Sequence, residues 1–532
     1  MNVITLTLIA LFGYFVWHYI IRMYLRYYSF KKQGIPAIAF PLPVIGTQHL
    51  FMKSCMKLDQ YSRFPYIEYW HDYFGDKLPK CFIDFRQTNG AIVITCPNMV
   101  QELFTSKNKY FDRHYREKVI GEIIIGDSVL FAKSSIRWAE NKKHISSIFY
   151  KQKLQLLLHT IQEMCLKQVQ LWKKTYVGRT DASLDLNMEI LDMLMDETQV
   201  CVFGLENLHR RFDFYENGKL VQISVGEAVR RIFRTAMRRL YGPIRELFEI
   251  CDYFYITDWE KELKRNVLSF RAFLQMLVNE RREAMKKTEF VNKGDLLTML
   301  LTIDNFKDDD KMILDECVAF MIASTNATSL LISNTIYYIT QFPGHIDKIR
   351  EEFKQVFKRD NFHELTASDW KELLTFDNVN DLKYFSMCIN ETLRVDSPPI
   401  SFGVQLTEPI EVLGVNLPDD MPIVINISGL HSNTDEWHEP EKWIPERFDP
   451  DSKYFLTPGG KRRNAVSYSP FLGGKRVCLG KTFAEHITRH QLAIILSQLD
   501  FTFSKPELYE RKPKNHAGSI QPEYSCFVSL VK

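Results

Sequence analysis

The chain has 532 residues, 45% of them hydrophobic and 25% charged, which excludes a disordered or low-complexity chain and provides the apolar material for a large folded domain. Its 68 lysines and arginines almost balance 65 aspartates and glutamates, for a net charge of +3, so nothing in the overall charge points to nucleic acid. The ten cysteines (55, 81, 96, 165, 201, 251, 317, 388, 478 and 526) contain no Cys-x-x-Cys pair and no short zinc-type spacing; a disulfide framework is not expected at such separations, and a reducing compartment is.

Residues 3–21, VITLTLIALFGYFVWHYII, form an apolar run of 19 without a formal charge, about 28 Å long as a helix and close to the thickness of a bilayer core. Arg22, Arg26, Lys31 and Lys32 follow it, which by the positive-inside rule places the rest of the chain in the cytosol. Trp17, Tyr19, Tyr24, Tyr27 and Tyr28 suit the interface belt. A cleaved signal peptide would need a basic start, a shorter apolar core and a small-residue cleavage site, and the run has none of these. The expected organisation is a transmembrane anchor over 1–21, a basic, proline-rich hinge over 22–50 with prolines at 36, 41 and 43, and one large domain over 51–532.

Strand-like runs at 81–85 and 91–96, bounded by Asn89-Gly90 and Pro97, predict a small sheet. Helical spacing prevails from 136. Trp138 and Lys142 are four apart and share a helix face; taken alone, such a pair is more often a core edge with a snorkelling lysine. Residues 150–300 read as several helices, among them 187–203 and a basic one at 225–240. The arginines of the latter (230, 231, 234, 238 and 239) form either a solvated face, the favoured reading, or a contact to anionic lipid.

Residues 312–340 predict a long, largely apolar and therefore buried helix, closed by Pro343-Gly344. At its centre Ala323-Ser324-Thr325-Asn326-Ala327-Thr328 interrupts the apolar run with small and polar side chains, making room for a ligand or water; a kink with satisfied hydroxyls is the alternative. Glu391 and Arg394 share a helix face, and Pro445-Glu446-Arg447-Phe448 adds a second arginine, so that one buried carboxylate flanked by two guanidiniums would be satisfied. Further strands are predicted at 401–407, 423–427, 501–503 and 525–531, the last two joined by a loop that could line a pocket.

The most informative stretch is Phe471-Leu472-Gly473-Gly474-Lys475-Arg476-Val477-Cys478-Leu479-Gly480. A cysteine that ligates a metal must be held as thiolate by backbone N–H donors, nearby positive charge and exclusion of water. Glycines at 473, 474 and 480 let the backbone turn and approach a flat cofactor, Phe471 can shield the sulfur, and Arg476 can meet an anionic cofactor edge. The segment after Gly480 reads as an amphipathic helix whose positive dipole end lies beside Cys478. Phe-x-x-Gly-x-Arg-x-Cys-x-Gly fixes five residue types, and a chain of this length should match by chance on the order of 10⁻⁴ times.

Here the sequence closely resembles the haem-binding loop of the cytochrome P450 superfamily, and the order Glu-x-x-Arg, Pro-Glu-Arg-Phe, cysteine loop extends the resemblance over essentially the whole chain. It implies a mainly α fold with a minor β region, one catalytic domain behind the anchor, and haem b (iron protoporphyrin IX) between the central helix and the cysteine loop. Cys478 would be the iron ligand; Arg476, Phe471, Gly474, Gly480, Trp138 and Lys142 would hold the cofactor; Glu391, Arg394 and Arg447 would serve folding. Ser324, Asn326 and Thr328 would be the catalytic positions on the central helix.

Three departures from the family pattern stand out. Lys142 replaces an arginine, Gln405 stands where many relatives have an arginine for a propionate, and Asn326 and Ala327 replace the acid and alcohol that relay protons, leaving Thr328 as the nearest hydroxyl. The implied activity is a monooxygenase that uses O₂, electrons from an NADPH-dependent flavoprotein reductase, and a lipophilic substrate bound near the segment Arg113–Phe131. Lys475, Lys481 and Arg489 are candidate docking residues for the reductase, and the expected location is the endoplasmic reticulum membrane, in contact with lipid and facing the cytosol. Two alternatives are an electron-independent isomerase or dehydratase acting on an oxygenated lipid, and a haem-binding membrane protein without turnover.

Overall fold

The computed structural model describes residues 3–57, 65–75, 77–86, 89–114, 116, 119, 121, 124–208, 210–240, 242–292, 294–342, 344–504 and 525–531. Pro343 and the loop joining the last two strands, both singled out above, lie outside them. The fold is mainly helical with small sheets, as expected.

The organising element is the helix Asp310–Gln341. Asp309 caps it by accepting the Met312 N–H, and it then runs unbroken through two apolar cores. Its first half, up to Ile322, packs with the helices Val225–Leu240 and Asp258–Met285; its second half, from Leu331, packs with Lys151–Tyr176, Leu186–Phe203, Lys383–Val395 and Lys481–Leu496. The small and polar residues 323–328 belong to neither core. The interruption in the apolar pattern is therefore a gap between cores within one continuous helix.

A five-stranded sheet is ordered Cys81–Asp84, Ala91–Ile94, Pro422–Ile425, Phe402–Leu406, Phe111–Arg113. Only the Ala91–Ile94 and Pro422–Ile425 pair is parallel. Its edge strand sets Asp112 opposite Gln405 and Arg113 opposite Val404. A second sheet joins Leu499–Phe503, Ser525–Leu530 and Leu184–Asp185.

Two expectations need correction. Region 150–300 is not all helical: Arg211–Glu216 and Lys219–Ser224 form a hairpin around Asn217-Gly218, both with positive φ (52° and 76°). That is the turn chemistry a two-residue hairpin requires, and Phe212, Phe214 and Ile223 anchor it in the core shared with Asp258–Met285. Nor does the hinge begin at 22. The helix Val3–Val16 passes through a π-helical turn, Trp17–Ile21, straight into Arg22–Lys32. Arg22 and Arg26 are pinned to the domain by Asp420 at 2.7 and 2.6 Å, and Arg26 is buried.

Beneath the cysteine loop lies a buried ion cluster. Glu391 accepts from Arg394 (2.7 and 2.8 Å), Arg447 (3.0 Å) and the Ile444 N–H (2.8 Å). The guanidiniums spend their remaining donors on the carbonyls of His431, Pro440 and Lys442 (Arg394) and of His438, Glu439 and Lys442 (Arg447). His431 links this cluster to the loop: Nδ1 is 3.1 Å from the Arg394 carbonyl and Nε2 accepts the Ser469 N–H at 2.9 Å. That assigns the proton to Nδ1 and keeps the ring neutral. Burial, then the Arg394 charge, pulls its pKa down to about 3.

Glu391→Gln leaves two buried guanidiniums without their counter-charge and should cost about 3–5 kcal/mol, read as a lower denaturation midpoint; an unchanged midpoint would remove the cluster from the stability of the fold. Because the folded pKa of His431 lies below the ordinary value of 6.5, the unfolded chain binds the proton first, and stability is lost as pH falls from about 6.5 toward 3. The slope is at most about 1.4 kcal/mol per pH unit for one proton. His431→Asn, which keeps an acceptor for Ser469, should shrink that slope by up to one proton's worth in pH-dependent unfolding.

Candidate functional site

The cysteine loop is shaped by contacts on its outer side. Leu472 and Gly474 have φ near +60°, and a Cβ at Gly473 or Gly474 would strike the Phe104 ring or the Asn108 carboxamide. These two glycines thus fit the loop against its neighbours, whereas a Cβ at Gly480 would sit at an ordinary contact distance of 3.9 Å from the Cys478 sulfur, so the space there does not demand glycine. Asn108 accepts the Lys475 N–H at 2.7 Å, and the Cys478 N–H closes the loop on the Phe471 carbonyl at 3.0 Å. Burial pushes the Cys478 thiol up, while the N–H groups of Gly480 and Lys481 and the charge of Arg113 pull it down. Both N–H groups sit at the start of Lys481–Leu496, where the helix dipole also favours a thiolate.

The sulfur opens on a cavity of about 320 Å³ whose opposite wall is the gap in the central helix. Ala323 and Ala327 are exposed there, although their helix is otherwise almost wholly buried. Phe149, Phe320 and Phe483, with centroids 5.8–6.1 Å apart, form an apolar side wall. A flat, largely apolar cofactor fits this space, with bare alanines on one face and the exposed Cys478 sulfur on the other; Cys478 is the residue that would ligate its metal.

The predicted residues divide between this cavity and elsewhere. Cys478, Phe471, Gly480, Arg476, Trp138, Lys142, Ser324 and Thr328 all line it. Asn326 instead lines a second cavity behind the helix, because it is rotated away from the 323/327 face. Ser324 is tied to Thr198 at 3.0 Å. Thr325 and Ser329 bond back to Met321 and Asn326 carbonyls; no hydrogen bond among the described residues takes up the Thr328 hydroxyl.

The cationic edge differs from expectation. Arg476 stacks 4.3 Å over Trp138 and is held by Asp112, Ser134 and the Ala132 carbonyl. Burial opposes ionisation of Asp112, yet Arg476 and two backbone N–H groups keep its carboxyl low. Trp138 donates to the Val129 carbonyl (3.0 Å) and Lys142 to that of Lys475 (2.6 Å); burial, then the charge of Arg476, lowers the Lys142 ammonium. Gln405 is not at this edge, since its amide donates to Asp419 and it is not part of the cavity wall. The cation found there instead is Arg113, 4.2 Å over Phe402 and 5.4 Å over Phe131. Of the candidate docking residues, Lys481 is exposed and Lys475 and Arg489 are half-buried.

Sequence reasoning missed Glu316. It lines the cavity, accepts the Val129 N–H at 2.7 Å, and burial raises its pKa to about 8. Its helix was expected, but only the fold brings 129 against 316.

Comparison with known proteins agrees with this geometry. The family model "Cytochrome P450" matches residues 47–528. The chain is 24% identical to cytochrome P450 72A68 of Medicago truncatula, over 83% of this chain and 79% of that one. It is 25% identical to the human ultra-long-chain fatty acid omega-hydroxylase, over 73% and 70%, and 24% identical to cytochrome P450 3A41 of Mus musculus, over 94% and 92%. With the family pattern spanning nearly the whole domain and the sulfur facing an alanine-lined gap, the chain belongs to the cytochrome P450 family and is a haem-thiolate monooxygenase.

Proposed function

We propose that this monooxygenase inserts one atom of O₂ into a lipophilic substrate, with electrons from an NADPH-dependent flavoprotein reductase, while anchored in the endoplasmic reticulum membrane and facing the cytosol. The observation that carries the reading is the placement of Cys478 at a helix N-terminus, across an apolar cavity from Ala323 and Ala327. The human relative is named for hydroxylating ultra-long-chain fatty acids, in keeping with an apolar substrate. Orientation in the membrane is supported by the apolar run 3–21 and by exposed Ile244, Ile250, Tyr253, Phe254 and Ile256, beside which Phe248 meets Tyr19 of the anchor at 5.5 Å.

Haem b, when bound, supplies reductive activation of O₂ and oxygen transfer. Cys478 would hold its iron, with Gly480 and Lys481 N–H groups and the helix dipole keeping the sulfur ionised. Arg113, Lys142, Arg476 and Trp138 would hold its carboxylate edge, and Lys475 and Lys481 would serve the reductase. The phenylalanine wall excludes water. Thr328 would offer a hydroxyl in the cavity able to hold and pass a proton, with Ser324 next to it, while Asn326, on the wall of the cavity behind the helix, would not touch the reacting atoms. The alanine at 327 and the amide at 326 keep an electron-independent rearrangement of an oxygenated lipid as the second reading.

Reduced, haem-loaded protein should give a thiolate-type carbon monoxide difference band that is lost in Cys478→Ser; folded, haem-loaded protein without it would overturn the site. Turnover should require both reductase and NADPH, and turnover without either would favour the rearrangement. Thr328→Ala should lower product formed per NADPH by about tenfold or more, as loss of a proton-transfer group does, whereas Asn326→Ala should stay within about twofold; the reverse order would return the relay to Asn326.

A further inference from the structure

A second cavity, of about 850 Å³, lies behind the central helix. That is within the size range of small-molecule sites. It is bounded by the helices Leu186–Phe203, Val225–Leu240 and Asp258–Met285 and by the hairpin, and its floor is Ile322, Thr325 and Asn326. Met188, Leu191, Met195, Phe233 and Leu263 make much of the wall apolar.

The remainder of the wall is cationic in an unusual way. Arg230, Arg234 and Arg238 recur every fourth residue along Val225–Leu240, and all three line the cavity. Like charges at that spacing destabilise a helix, so the row is a cost to folding unless something compensates it. The carboxylates in the wall do not: Glu227 and Glu216 are paired with Arg231 at 2.5 and 2.6 Å, and Glu262 accepts the Gly218 N–H at 2.9 Å. Arg230 reaches Asp192 at 3.4 Å. Arg234 and Arg238 have no ion pair among the described residues; both are exposed, and Arg238 lies 4.6 Å over the Trp259 ring. An uncompensated pair of guanidiniums above an apolar trough is complementary to a molecule with one anionic head and one hydrocarbon chain, since the planar forks suit a carboxylate or phosphate.

We propose that this cavity binds a single-chain anionic amphiphile, its carboxylate or phosphate held by Arg234 and Arg238 beside Trp259, and its chain lying on the apolar wall toward residues 325–326. The chain would then touch the back of the helix turn whose front is the Cys478 cavity. On this proposal the basic helix is one side of a ligand site.

The test uses the full-length, haem-loaded protein with a bulky azole ligating the iron, so that the Cys478 cavity is filled. Bromine-labelled dodecanoate, dodecyl phosphate and dodecanol are titrated and tryptophan quenching is read, with Trp259→Phe isolating the contribution of Trp259. At least one anion should quench Trp259 at a concentration tenfold or more below that of the alcohol. Arg234→Gln/Arg238→Gln should abolish that preference while azole affinity, the check on folding, is unchanged. A preference for one head group over the other identifies the source, fatty acid or phosphomonoester. Equal binding of alcohol and anions in the wild type, quenching unaffected by Trp259→Phe, or an azole-competent double variant that keeps the anion preference would each overturn the site.

Discussion

A cysteine thiolate inside a protein needs N–H donors and positive potential close to sulfur, and a flat cofactor needs a facing surface without side chains. The fold meets both needs at one place. The helix Lys481–Leu496 points its N-terminus at Cys478, and the central helix passes opposite with alanines at 323 and 327. Much of the remaining architecture holds those two helices at a fixed separation. The apolar cores grip the central helix on either side of residues 323–328, so its small-residue turn stays open without collapsing the fold.

The Glu391 cluster belongs to the same task. It lies away from the reacting atoms, yet through Arg394, His431 and the Ser469 N–H it reaches the start of the cysteine loop. A charged cluster so deeply buried is costly unless every donor and acceptor is used, and here the guanidiniums are used on carbonyls of the segment 438–442 that precedes Pro445-Glu446-Arg447-Phe448. The electrostatics therefore tie an irregular stretch of chain, which has no ladder of its own, to a helix. The irregular loop that carries Cys478 gains its rigidity in this way.

The cationic edge of the cavity illustrates how tertiary contacts reassign residues. Arg476 is engaged by Asp112, and Asp112 is placed by the register of the edge strand Phe111–Arg113 against Phe402–Leu406. The same register turns Arg113 onto the Phe402 ring, next to the cavity. The strand thus supplies both a carboxylate that fixes one guanidinium and a second guanidinium at the cavity wall. Two cavities thus lie back to back across one helix turn, one lined by Asn326 and the other by Ala327.

The sequence alone determined what local patterns encode. The period of the apolar residues marked the central helix within about two residues at each end, short apolar runs bounded by turn residues marked strands of the main sheet, and the cysteine loop with its five specified positions marked Cys478 as the residue that would ligate a metal. The hairpin at 211–224 was legible as well, in its alternating RFDFYENGKLVQIS and its Asn-Gly turn, but was absorbed into a helical reading. Only the tertiary structure decided the rest: that Asn326 faces away from the sulfur, that Arg113 and Glu316 face the cavity, that Gln405 does not, and that four arginines of one amphipathic helix line a second cavity. These depend on helix rotation and strand register between segments far apart in the chain, which local spacing does not specify, because burial of one face is compatible with many partners and only packing selects among them.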